Sequence, residues 1–155
     1  MKLAIGSDER THLTDAVVEA VRKQGHTVTL FGPLAGREEQ WPDVARQVAE
    51  AVADGRADEG ILFCWTGTGV SIAANKVPGI RAALCDDAET ARGARLWNNA
   101  NILCLSLRRM PEVVAREILD AWFGTAYEPN DEDDACLAQV AGIEERYLGR
   151  AGEQE

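Results

Sequence analysis

Apolar residues gather in five short runs, KLAIG, HTVTLF, GILFC, IRAALC and NILCLSL, and recur between them at the spacing of a helix with one buried face. The first helical stripe carries Leu13, Val17, Ala20 and Val21. It stops near Gly25, where a residue without a Cβ can take the left-handed terminal conformation. After the second run, GPLAGREEQ shows no period and reads as an irregular loop. Pro42 and Asp43 suit the start of the next helix, whose buried face holds Val44, Val48, Ala51 and Val52. The third run passes through the glycine-rich WTGTG into SIAANK, a helix that ends by Pro78. The fourth leads into DDAETARGARL, with acidic residues in the first turn and arginines further along, as the helix dipole favours. Pro111 follows the fifth run and opens a helix through Val113, Val114, Ile118, Ala121 and Trp122. This alternation predicts an α/β fold of strand-helix units around a parallel sheet.

The fifth unit ends near Gly124. Beyond it, Leu137, Val140, Ile143, Glu144 and Leu148 repeat at helical spacing. They predict an additional C-terminal helix that packs against the body or, as the preferred alternative, against a second subunit. Residues 1–150 are expected to form a single domain and residues 151–155 a frayed tail.

A chain of 155 residues with 46% hydrophobic content supports one ordinary core. The balance of 16 basic against 26 acidic residues leaves a formal charge of -10, which opposes a nonspecific hold on nucleic acid or on an anionic membrane. No apolar run reaches membrane-spanning length, and MKLAIGSDER meets charged residues before a signal-type region develops, so a cytoplasmic location is expected. Cys64, Cys85, Cys104 and Cys136 lie far apart, and Cys85 and Cys104 read as buried strand residues. His26 opens a strand at the amino edge and is structural. His12 belongs on the surface of a first helical turn or at the upper edge of the sheet. Two such separated histidines make no metal site, and no other ligand set is present.

In a parallel sheet, ligands bind beyond the carboxyl ends of the strands. Three loops bring polar residues there: Gly6 to Glu9, Cys64 to Gly69, and Asp86 with Asp87. In CWTGTG, Gly67 and Gly69 permit a tight turn whose amides face the space before a helix and could hold a developing oxyanion. Cys64 stands directly before that turn, as a base or nucleophile or as the last buried residue of its strand. Asp8 suits a hydroxyl-bearing ligand, or else caps a helix or sits in a loop. The long glycine-rich loop ending in lysine and a hydroxyl residue is missing, and GSDER is not a dinucleotide fingerprint, so no nucleotide cofactor is expected.

GSDER, QWPDVA, GILFCWTGTGVSIAANKVPGIRAALCDD and NNANILCLSLR resemble successive segments of the ribose-5-phosphate isomerase B and galactose-6-phosphate isomerase family, from Met1 to about Tyr127. The resemblance implies a Rossmann-like three-layer sandwich with a five-stranded parallel sheet. It also implies a homodimer with shared active sites, and aldose-ketose interconversion without metal or organic cofactor. It assigns Cys64 as the base that moves a proton between the first two sugar carbons. Thr66, Gly67, Thr68 and Gly69 line the sugar and stabilise the enediolate, Asp8 contacts hydroxyls, and Asn98 comes from the partner subunit.

Four departures bear on the substrate. Glu9 and Trp97 stand where the family has histidines, the second of them assigned to ring opening. An indole N–H donates a hydrogen bond but cannot shuttle a proton near neutral pH, so another group opens the ring or the sugar arrives open. Trp65 replaces a small residue and offers an apolar face for stacking, or for partial blockage. Finally, YEPNDEDDACLAQ stands where the family places phosphate-binding arginines. Like charges about 4 Å apart repel by about 4 kcal/mol at an effective dielectric near 20; Arg108, a retained family arginine, is small compensation. An isomerase acting on an unphosphorylated or atypical sugar is therefore the leading expectation. The alternatives are an epimerase of a sugar derivative and a sugar-binding or regulatory protein without turnover.

Overall fold

The computed structural model, described for residues 1–147, joins β1 (Lys2–Ser7), β2 (Thr27–Phe31), β3 (Glu59–Cys64), β4 (Ala82–Leu84) and β5 (Ile102–Ser106) into one parallel sheet of order β2-β1-β3-β5-β4. The helices are α1 (His12–Lys23), α2 (Trp41–Ala53), α3 (Thr68–Ala74), α4 (Ala88–Asn98), α5 (Glu112–Gly124) and α6 (Asp131–Tyr147). Leu148 and the tail expected at 151–155 lie outside the described residues.

The central strands β1, β3 and β5 are buried apart from Lys2, so they read as continuous apolar runs, as a sheet covered on both faces requires. Their alternating side chains divide the core. Leu3, Ile5, Ile61, Phe63, Leu103 and Leu105 pack with α1, α4 and α5. Ala4, Leu62, Cys64, Ile102 and Cys104 pack with α2 and α3. Three layers result, as expected.

Two elements differ from the expectation. The loop after β2 contains a 3-10 turn, Gly32–Ala35, closed by Gly36 at φ 76°. The fourth strand, at the edge of the sheet, spans three residues, and side-chain amides bind the backbone at its start. Asn75 receives a bond from Ala82 N at 2.8 Å and donates to Ala82 O at 2.9 Å, and Asn101 Oδ1 receives Arg81 N at 2.8 Å.

No residue of α6 is buried. Its carboxylate Glu144 receives the Gly79 amide at 3.1 Å, while Val140, Ile143 and Tyr147 stay exposed beside α4. Among the described residues, no helix is long and apolar enough to cross a membrane.

The chain leaves β1 toward β2 on one side, whereas β3 begins the opposite half of the sheet. Such a reversal, here at the carboxyl ends of β1 and β3, is where open α/β sheets bind their ligands.

Candidate active site

Beyond β1, the buried Ser7 hydroxyl donates to Glu9 O at 2.6 Å and accepts from Glu9 N at 3.2 Å, which bends the chain around Asp8. Asp8 is half-buried and Glu9 exposed. Burial pushes the Asp8 carboxyl above its usual range, and the charge of Glu9 pushes the same way against a backbone hydrogen bond. Asp8 does not cap α1: Thr11 does, in a reciprocal capping box with Thr14.

Cys64 closes β3 with 5% of its surface accessible. Its carbonyl accepts Gly67 N at 3.2 Å and Leu107 N at 3.0 Å, while the Trp65 carbonyl accepts Arg108 N and Ser106 Oγ at 3.0 Å each. The turn is therefore tied to the end of β5. The Gly67 amide is committed to Cys64, whereas the first-turn amides from Thr68 to Val70 have no intrahelical acceptors and are free for a ligand. Of the amides expected to face the space before the helix, that of Gly67 is thus bonded within the turn. The Thr66 and Thr68 hydroxyls share a 2.6 Å hydrogen bond.

The two glycines serve different ends. Gly67 has φ 74°, and a Cβ there would lie 2.6 Å from Leu84 Cδ1 and 3.0 Å from the Leu105 carbonyl carbon. Gly69 has no left-handed φ; a Cβ there would lie 3.0 Å from Trp41 Cε3. It is a close-approach glycine that lets the Trp41 ring rest on the turn.

Strand register aligns the candidates. Cys64 pairs with Ser106 and Phe63 with Ser7. Asp8 follows directly after Ser7, where β1 ends beside the end of β3. Sequence reasoning missed Ser106 and Trp41. An aromatic directly before the proline of QWPDVA was the available signal for Trp41, whereas Ser106 emerges only from strand register. Trp41 and Trp65 are 40% and 61% exposed at this edge, and Arg108 is exposed beside Trp65.

Trp97 and Asn98 lie elsewhere. They end α4, which runs from the carboxyl edge after β4 to the amino edge before β5. The Trp97 ring folds back over Gly93, where a Cβ would lie 2.7 Å from its Cζ3. Arg81 Nε donates to Asn99 O at 2.8 Å and anchors that corner. One protomer thus holds the Cys64 turn and Asn98 at opposite edges of its sheet.

The acidic run belongs to the start of α6. Asn130 receives Asp133 N at 2.9 Å and donates to Asp133 Oδ2 at 2.7 Å. Tyr127 donates to Asp134 at 2.5 Å, and that bond pushes the phenol up to about 12. The carboxylates complement the amino end of their own helix. His12 is exposed and pairs with Glu112 at 2.9 Å, and His26 packs on Phe123 with ring centres 4.5 Å apart. Burial pushes the Cys85 thiol up to about 12 and the Cys104 thiol up further. Among the described residues, no group of three or more His, Cys, Asp or Glu is placed to hold a metal ion.

Residues 3–140 match the family model described as Ribose/Galactose Isomerase. D-erythrulose-4-phosphate isomerase of Pectobacterium atrosepticum is 39% identical over 130 residues, covering 83% of this chain and 86% of the relative. Ribose-5-phosphate isomerase B of Escherichia coli is 38% identical over 146 residues, covering 94% and 97%. The structure of Clostridium thermocellum ribose-5-phosphate isomerase B superposes with a TM-score of 0.88 at 39% identity, covering 95% of this chain and 99% of that one. With the fold, the CWTGTG turn and these likenesses in agreement, the chain belongs to the ribose/galactose isomerase family of sugar isomerases.

Proposed function

We propose that this protein interconverts an aldose and a ketose through an enediolate, with Cys64 as the base and without metal or organic cofactor, on an open-chain sugar that carries no phosphate. The observation that carries the reading is the pairing of Cys64 with Ser106 at adjacent strand ends, with Asp8 directly following the end of the next strand, under a turn whose first helical amides are uncommitted. The thiolate takes the proton from the carbon beside the carbonyl. The charge that develops on oxygen is met by the amides from Thr68 to Val70, with the Thr66 hydroxyl at hand for proton exchange between the two oxygens. The thiol so formed exchanges its proton with solvent and returns a proton to the neighbouring carbon, so nothing is oxidised or reduced overall. Asp8 accepts hydrogen bonds from sugar hydroxyls, with Glu9 at its side, and Trp65 offers a face for stacking.

Two features support an open chain without phosphate. Trp97 occupies the ring-opening position and cannot shuttle a proton near neutral pH. The segment that would hold the phosphate carries Asp131, Glu132, Asp133 and Asp134. The Pectobacterium relative is named for a four-carbon sugar phosphate, a compound in which O4 is occupied and no five-membered ring can close. Its example supports an open-chain substrate, though not the missing phosphate. Because Trp97 and Asn98 lie at the far edge from Cys64, we assign them to the site of a second copy, in a homodimer with shared sites. Kinetics on paired free and phosphorylated four- and five-carbon sugars test the reading: preference for the free member is expected, and preference for the phosphorylated member contradicts it.

The low exposure of Cys64 favours a second reading, a sugar-binding homologue without turnover. Proton exchange beside the carbonyl separates the two.

A further inference from the structure

On the far side of the turn from Asp8, the carboxyl edge holds a hollow of about 270 Å³ walled by Thr66, Asp86, Ser106 and Arg109 over Leu84 and Met110. At about 30 Å³ for each water, it has room for about nine, or for a hydroxylated chain of a few carbons. It shares Thr66 and Ser106 with the candidate active site. Thr66 belongs to the turn, and Ser106 is in register with Cys64.

Each polar wall has bonding capacity left. The Ser106 O–H is committed to the Trp65 carbonyl, so its oxygen remains an acceptor. Of the two adjacent aspartates, Asp87 caps α4 by receiving Thr90 N at 2.7 Å, while Asp86 is exposed at the rim. Arg109 is exposed and forms no ion pair among the described residues. A carboxylate and a guanidinium on one rim suit vicinal hydroxyls, whose hydrogens go to the carboxylate and whose oxygens accept from the guanidinium. Leu84 and Met110 offer apolar surface to the C–H faces of the same chain. A phosphate would meet Asp86 as well as Arg109, and that opposition favours a neutral ligand.

We propose that this hollow is the subsite for the non-reacting tail of the sugar, a vicinal diol held by Asp86 and Arg109. The assignment to a substrate tail rests on the isomerase reading; the affinity for a polyol does not. The whole protein, labelled with nitrogen-15, is titrated with erythritol, a linear polyol that cannot isomerise, and separately with inorganic phosphate. Erythritol is expected to shift the amide signals of Thr66, Asp86, Ser106 and Arg109, and the shifts are expected to vanish in Asp86→Ala. Erythritol leaving these signals unmoved, or phosphate moving them in its place, overturns the subsite. In turnover, Asp86→Asn and Arg109→Gln are expected to lower the kcat/KM ratio of a pentose to glyceraldehyde roughly tenfold, because only the longer chain reaches the hollow. An unchanged ratio also overturns it. If no sugar exchanges its proton in the unaltered protein, the isomerase reading fails while the erythritol shifts still decide the polyol site.

Discussion

At the scale of single residues, the turn after β3 depends on two glycines for unlike reasons. Gly67 needs its left-handed φ of 74° and the space against Leu84 and Leu105. Gly67→Ala combines strain with overlap against backbone, and is expected to lower the unfolding free energy by about 1–3 kcal/mol in urea denaturation. Gly69→Ala meets only the Trp41 ring, which can tilt, so the expected readout is a shift in tryptophan emission with a smaller loss of stability. The motif itself was legible in CWTGTG, because glycines before a helix mark a turn wherever they occur. The division of labour was not legible, because Leu84, Leu105 and Trp41 come from distant segments. Ser106 was hidden for the same reason. Its partnership with Cys64 is a matter of register between strands, and no local spacing encodes register.

At the scale of elements, β3, α4 and α5 meet at a buried network on the amino side of the sheet. Arg95 Nη2 lies 2.8 Å from Glu59 Oε1, Trp122 Nε1 donates to Glu59 Oε2 at 2.6 Å, and the guanidinium sits 5.2 Å from the Trp122 ring centre. Arg95 also donates to the carbonyls of Ala100 and Thr125, so it fixes the end of α4 that presents Trp97 and Asn98. Burial pushes the Glu59 carboxyl upward, more than Arg95 and the Trp122 N–H pull it down. Arg95→Met leaves that carboxylate without its cation, and the unfolding free energy at neutral pH is expected to fall by about 3–5 kcal/mol. The sign with pH follows from the raised carboxyl. As pH falls the orphaned group protonates in the folded state before it would in the unfolded one, so the loss in Arg95→Met should shrink in acid. An equal loss at all pH values would count against the network. Helix periodicity made α4 legible, but Arg95 read only as a charge complementing the end of its helix. Its inward course depends on Glu59 and Trp122, which lie 36 residues before and 27 after it. The acidic start of α6 is a converse case, with Asn130 and Tyr127 using those charges locally.

At the scale of the whole molecule, alternating strand and helix patterns made the parallel sheet and its two covering layers legible, whereas the order β2-β1-β3-β5-β4 required the pairings themselves. That order places the reversal at β1 and β3, and the end of α4 lies at the opposite edge of the sheet, so the proposed site needs two copies. Subunit complementation checks this. Cys64→Ala and Asn98→Ala are each expected to be inactive, and after unfolding and refolding together should regain roughly a quarter of full activity, since half the dimers are mixed and each has one intact site. No recovery on mixing would place all the machinery in one chain. The central claim is proton removal by Cys64, and solvent deuterium entry at the carbon beside the carbonyl of a free open-chain sugar tests it most directly. The account predicts incorporation with the unaltered protein and a loss of about 10²–10⁴-fold in Cys64→Ala; deuterium entering that variant at an undiminished rate would contradict it.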